Sequence, residues 1–153
     1  FVEPLARRVD AVLAETGADR VVLVGHSMGG LVARAYLQRH GESRVAGLVT
    51  LGTPHQGSRL AHIGYGENAR QMRPGAPWLQ TLASPTPVVD TVVIYSPHDN
   101  FVMPQSQLQL PGAPSQAIEG IGHLAMLFSP RVAQALLAAL ERLGARPLAA
   151  GSA

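Results

Sequence analysis

Apolar positions in the chain fall into two rhythms that alternate along its length. Val2, Leu5, Val9, Val12 and Leu13 recur every three or four residues, the spacing that lines one face of a helix. Pro4 sits in the first turn, where its missing N–H costs nothing, and Gly17 supplies a stop. Val21–Val24 has no polar face, as expected of a strand covered on both sides in a parallel sheet. Helical spacing returns with Leu31, Val32, Ala35 and Tyr36 and ends near Gly41. A second strand, Val45–Leu51, closes on Gly52-Thr53-Pro54-His55-Gln56-Gly57. Val88–Tyr95, interrupted by Asp90, reads as a third strand and Gln116–Glu119 as a short fourth. Val132, Leu136, Leu137, Leu140 and Leu143 build a final amphipathic helix over Pro130–Leu143.

Between the second and third strands the texture changes. Residues 58–86 are polar and rich in Gly and Pro, with weak periodicity around Trp78, Leu79 and Leu82. They read as loop and short helices, a lid or cap segment within one α/β domain spanning 1–153. The end of the chain, 145–153, is expected to fray. Strands alternating with helices predict a mostly parallel sheet flanked by helices, with its site beyond the C-terminal ends of the strands. Ser27, His55, Asp99 and His123 each follow a predicted strand end.

Composition narrows the partners. The 153 residues suit one domain with a sizeable core, and no apolar run is long enough for a membrane span. All 12 basic residues are arginine, scattered from Arg7 to Arg146, and a net charge of +2 argues against nucleic acid. With no cysteine, disulfides, thiolate metal sites and a cysteine nucleophile are excluded. No secretory leader is legible from Phe1 onward, and compartment and oligomeric state are not readable.

The chemistry gathers at Gly25-His26-Ser27-Met28-Gly29, where strand passes into helix through a sharp turn. Projecting Ser27 from such a turn requires close backbone approach, which glycine at 25 and 29 is expected to permit. The amide of Met28, in the first helical turn, lacks an intrahelical partner and suits an oxyanion. Serine becomes a nucleophile only beside a base, and the base needs an orienting partner. Asp99 and His123 supply these in the order nucleophile, acid, base, with His123 flanked by Gly120 and Gly122. A bare G-x-S-x-G arises by chance in about one such chain in ten, so its placement between strand and helix carries the weight. Asp90 stands at the wrong end of its strand and Glu119 ends another, which favours Asp99 as the acid. His26 reads as a packing neighbour, His98 as lying on the wrong side of the acid loop to be the base, and His40 and His62 as surface residues. His55 divides evenly between lining a substrate pocket and tying its own loop. Ile63, Trp78 and Leu79 suit covering an acyl chain or an ordinary core under a long loop. No paired carboxylates flank Asp99 and His123, so no metal or cofactor is called for.

On these residues the sequence resembles the α/β-hydrolase family, lipase and esterase branch. Gly25-His-Ser-Met-Gly-Gly30 matches the nucleophile elbow, and Leu51-Gly-Thr-Pro-His-Gln-Gly-Ser58 resembles a segment of bacterial triacylglycerol lipases. Asp99 within Pro97–Pro104 matches the acid, and Gly122-His-Leu-Ala-Met126 the histidine. The resemblance runs from about Pro4 to Leu143 and implies a serine hydrolase of ester or lipid substrates. An acyltransferase on the same triad and a non-catalytic binding module are the alternatives. The family also has earlier strands and a His-Gly type loop that donates a second oxyanion amide, and no such loop precedes Val21. The expectation is therefore a C-terminal portion of a longer hydrolase, weak or inactive alone.

Overall fold

The computed structural model describes residues 1–82 and 89–145. Helix α1 (Val2–Thr16) ends at Gly17, whose left-handed backbone (φ 68°) lets its amide bond to the Leu13 carbonyl. Strand β1 (Val21–His26) then leads through Ser27 into α2 (Met28–His40), and β2 follows at Val45–Leu51. Beyond β2 lie a 3-10 turn (Arg59–His62) and two short helices, α3 (Glu67–Gln71) and α4 (Pro77–Leu82). Strand β3 (Thr91–Tyr95), a 3-10 turn (Gln105–Leu108), β4 (Ser115–Ala117), another 3-10 turn (Leu124–Phe128) and α5 (Pro130–Arg142) complete the described chain.

The four strands stand side by side in chain order, β1-β2-β3-β4, and every pairing is parallel. Because side chains alternate across a strand, β1 and β2 each serve two cores. Leu23, Val45 and Leu48 pack with Val9, Ala33, Tyr36 and Leu37 beneath α1 and α2. Val49, Leu51, Val92 and Ile94 face the other way, onto Met126, Val132, Ala135 and Ala139 of α5 and the turn before it. That double coverage is why the central strands read as unbroken apolar runs. A third cluster joins Leu31 and Ala35 of α2 to Ala76, Leu79 and Leu82, anchoring the segment after β2.

Sequence and structure differ at the sheet's weaker edge. Strand β3 begins at Thr91; Val88 lies outside the described residues, as do residues 83–86 of the expected lid or cap segment and 146–153 of the tail. Asp90 precedes the strand, yet its carbonyl still accepts from Leu48 N–H at 2.9 Å. Strand β4 is Ser115–Ala117 rather than Gln116–Glu119, and all three residues are exposed. Ile118, not part of the strand, is the residue buried there.

Candidate active site

The turn after β1 is built by steric exclusion. Ser27 has φ 53° and ψ −127°, and it is the one non-glycine residue of positive φ among those described. Such a conformation costs about 1–3 kcal/mol and persists only where its surroundings enforce it. Here Ser27 N–H donates to the Leu51 carbonyl at 2.9 Å, and Gly30 N–H to the Ser27 carbonyl at 3.1 Å. A Cβ on Gly25 would come 2.5 Å from Gly30 N, and one on Gly30 would come 2.1 Å from Thr53 Oγ1. A Cβ on Gly29 meets nothing within 4 Å. The close approaches thus fall on glycines 25 and 30, correcting the expectation of 25 and 29. Gly30 is the residue on α2 that Thr53 presses against.

The loops after β3 and β4 meet beside this turn. His123 Nδ1 lies 2.7 Å from Asp99 Oδ2, and both residues are buried. Asp99 Oδ1 accepts from the amides of Phe101 (2.8 Å) and Val102 (2.9 Å). Burial alone would raise the Asp99 carboxyl, but the bonds from His123 and these two amides hold it below the ordinary carboxylate value. Asp99 is therefore ionised at neutral pH, and the ring donates Nδ1–H to it. Gly52, at φ 55°, is the floor of the pair: a Cβ there would lie 3.3 Å from His123 Nδ1 and 3.0 Å from Met126 Sδ. Among the described residues, Ser27 Oγ and His123 Nε2 carry no hydrogen bond to one another.

Several of the other named residues are placed differently from one another. Met28 opens α2, so its amide has no partner within the helix. His55 is buried between β2 and α2, with Nε2 3.0 Å from Thr50 Oγ1 and Nδ1 3.3 Å from Arg34 Nη1. Arg34 also donates to the carbonyls of His55 and Leu82. Burial, then the neighbouring Arg34 charge, lowers the His55 pKa to about 3. These contacts tie the His55 loop to β2 and α2. Leu79 is buried, with Trp78 packed against it, in the cluster under α2 rather than against His123. Ile63 is 77% exposed.

Local spacing does not single out Asn100, Gly52, Arg34 or Thr50, and it gives His26 only a packing role and His98 none. Asn100 Oδ1 accepts from His123 N–H (3.1 Å), and His98 Nδ1 accepts from Gly120 N–H (3.0 Å). His26 Nε2 lies 3.1 Å from the His123 carbonyl. The available signal was adjacency: His98 and Asn100 flank Asp99, and His26 precedes Ser27. Among the described residues, no group of three or more His, Asp or Glu is arranged to hold a metal ion. No helix there is long and apolar enough to cross a membrane.

A sequence model of the alpha/beta hydrolase fold family matches residues 2–82. A triacylglycerol lipase of Pseudarthrobacter phenanthrenivorans is 49% identical over 59 residues, which are 39% of this chain and 18% of that protein. One from Vibrio cholerae is 39% identical over 61 residues, 40% of this chain and 19% of that protein. The matched stretch thus spans under a fifth of these relatives. Among solved structures, a mature Bacillus licheniformis lipase superposes with TM-score 0.72 at 15% identity, covering 91% of this chain and 71% of that one. A thermophilic esterase of Thermogutta terrifontis gives 0.56 at 23% identity, covering 86% and 69%.

Proposed function

The chain belongs to the α/β-hydrolase fold family, and from that premise we propose that it is a serine hydrolase of carboxylic esters, of the esterase or lipase kind. The observation that carries the reading is the buried 2.7 Å contact between His123 Nδ1 and Asp99 Oδ2, made beside a serine held at φ 53°. His26, the residue before that serine, stands with its ring centroid 4.7 Å from that of His123.

Ser27 Oγ attacks the ester carbonyl carbon while His123 Nε2 takes its proton. Asp99 remains ionised, holds the Nδ1–H tautomer and steadies the imidazolium. The tetrahedral oxyanion faces the amide of Met28, a kind of donor worth about a hundred- to a thousandfold in turnover. Collapse expels the alkoxide, which His123 protonates, leaving an acyl-Ser27. Water then attacks the acyl carbon with His123 as base, releasing the carboxylic acid and restoring Ser27. Phe101 stacks over His123 at 5.2 Å and 24° while remaining 52% exposed, an apolar wall suited to the hydrocarbon part of an ester. The lipase and esterase names of the relatives and structural neighbours support the same substrate class.

The test is substitution of the nucleophile. Ser27→Ala should abolish covalent labelling by a fluorophosphonate probe and hydrolysis of p-nitrophenyl esters while the circular dichroism spectrum is retained. Labelling that persists in Ser27→Ala overturns the assignment.

A further inference from the structure

His123 is held by more than its ring. Its peptide N–H donates to Asn100 Oδ1 at 3.1 Å, and its carbonyl oxygen lies 3.1 Å from His26 Nε2. A carbonyl can only accept, so Nε2 of His26 carries the proton and donates. Neither side chain belongs to the triad, but each is the chain neighbour of a residue that does. His26 precedes Ser27, and Asn100 follows Asp99. The elbow and the acid loop therefore hold the two peptide groups on either side of the His123 Cα, and Asp99 holds the ring at 2.7 Å.

The need for such anchoring lies in the loop itself. Gly120 has φ 74°, and Gly122 adds a second residue without a side chain. A loop this permissive loses much conformational entropy on ordering and does not aim a ring by itself. One bond at Nδ1 leaves the ring free to pivot about Asp99, and fixing the backbone at both ends removes that freedom. Gly122 also serves the contact directly, since a Cβ there would approach Asn100 Oδ1 to 3.2 Å.

We propose that His26 and Asn100 are positioning residues that clamp the His123 backbone on both sides of its Cα and so set the direction in which its Nε2 can serve Ser27. The proposal rests on the serine-hydrolase reading above. Burial lowers the His26 pKa, which keeps this second ring neutral while its neighbour 4.7 Å away becomes an imidazolium during turnover. Misplacing a catalytic group by about 1 Å costs on the order of a hundredfold, and that sets the scale of the effect.

The experiment compares His26→Phe and Asn100→Leu, which remove the donor and the acceptor, with His26→Gln and Asn100→Asp, which retain them. Readouts are kcat and KM on a p-nitrophenyl ester, the rate of fluorophosphonate labelling, the low-field Nδ1–H proton signal of His123, and the thermal midpoint. The first pair should lose about ten- to a hundredfold in kcat and labelling rate at unchanged KM, and their Nδ1–H signal should broaden. The second pair should stay within about threefold of the parent with the signal intact. If a variant loses its cooperative melt, His26→Asn and Asn100→Ser, too short to reach, take its place with the same expected losses. An unchanged Nδ1–H signal in the first pair, or equal impairment in both pairs, overturns the clamp. Ester turnover that survives Ser27→Ala overturns the serine-hydrolase reading instead, and the proton signal distinguishes the two failures because it depends on no turnover.

Discussion

Acid should weaken this fold through His55, one buried imidazole. Arg34 Nη1 can only donate, so Nδ1 of His55 is the acceptor, and Nε2–H donates to Thr50 Oγ1. Protonating Nδ1 would set N–H against N–H and add a positive charge beside the guanidinium. The folded-state pKa is accordingly lowered from 6.5 to about 3. Above pH 6.5 the ring is neutral whether the chain is folded or unfolded, and it contributes no pH dependence. Between about 6.5 and 3 the unfolded chain binds a proton that the folded chain refuses, so stability falls as the pH drops. At about 1.4 kcal/mol per pH unit, the loss on reaching pH 4.5 is about 3 kcal/mol, against a typical total of about 5–15. Denaturant unfolding at pH 7.5 and 4.5 should be compared between the parent and His55→Gln, whose amide does not titrate. At pH 7.5 the variant should be less stable by about 1–3 kcal/mol through weakened bonds to Thr50 and Arg34. At pH 4.5 that gap should close or invert. Asp99 and His26 titrate in both proteins and cancel in the difference. An equal gap at the two pH values would refute the reasoning.

Asp99→Asn should leave the fold standing but lower kcat by about ten thousandfold, because an amide cannot hold the Nδ1–H tautomer; kcat within tenfold of the parent would refute an orienting role. Gly25→Ala should cost more than about 3 kcal/mol or prevent folding, since its Cβ would lie 2.5 Å from backbone nitrogen, whereas Gly29→Ala should be neutral or slightly stabilising. Thermal melts of the two variants check that order, which the G-x-S-x-G pattern alone does not predict. Gly52→Ala combines a left-handed backbone with contacts to Met126 Sδ and His123 Nδ1, so it should depress both the melting temperature and the fluorophosphonate labelling rate.

Much of the fold was legible because burial on both faces writes itself into composition. Strand β2 matched its expected bounds, Val45–Leu51, since an apolar run there is closed by Gly-Thr-Pro. Helix α5 lay where its apolar stripe was expected, with Val132 buried and Leu136, Leu140 and Leu143 packed against the same core, but Ala135 and Ala139 fill that face and Leu137 is 61% exposed. Strand β4 was displaced by one residue at its start because Ser115, Gln116 and Ala117 are exposed at the sheet edge and bond only to β3. An edge strand with no buried face leaves no period to read. His55 could not be resolved between its two readings because its partner Arg34 lies on α2, 21 residues earlier.

The sequence by itself determined the alternation of strands and helices and the order Ser27, Asp99, His123 beyond the ends of β1, β3 and β4. Those follow from local spacing and from where apolar runs stop. Only the tertiary structure decided which glycines the elbow requires, that His55 faces Arg34 and Thr50, and that His26 and Asn100 hold the peptide of His123. These are contacts between loops distant along the chain, set by the register of the parallel strands, and no local pattern encodes a distance of 3 Å between residues 97 positions apart.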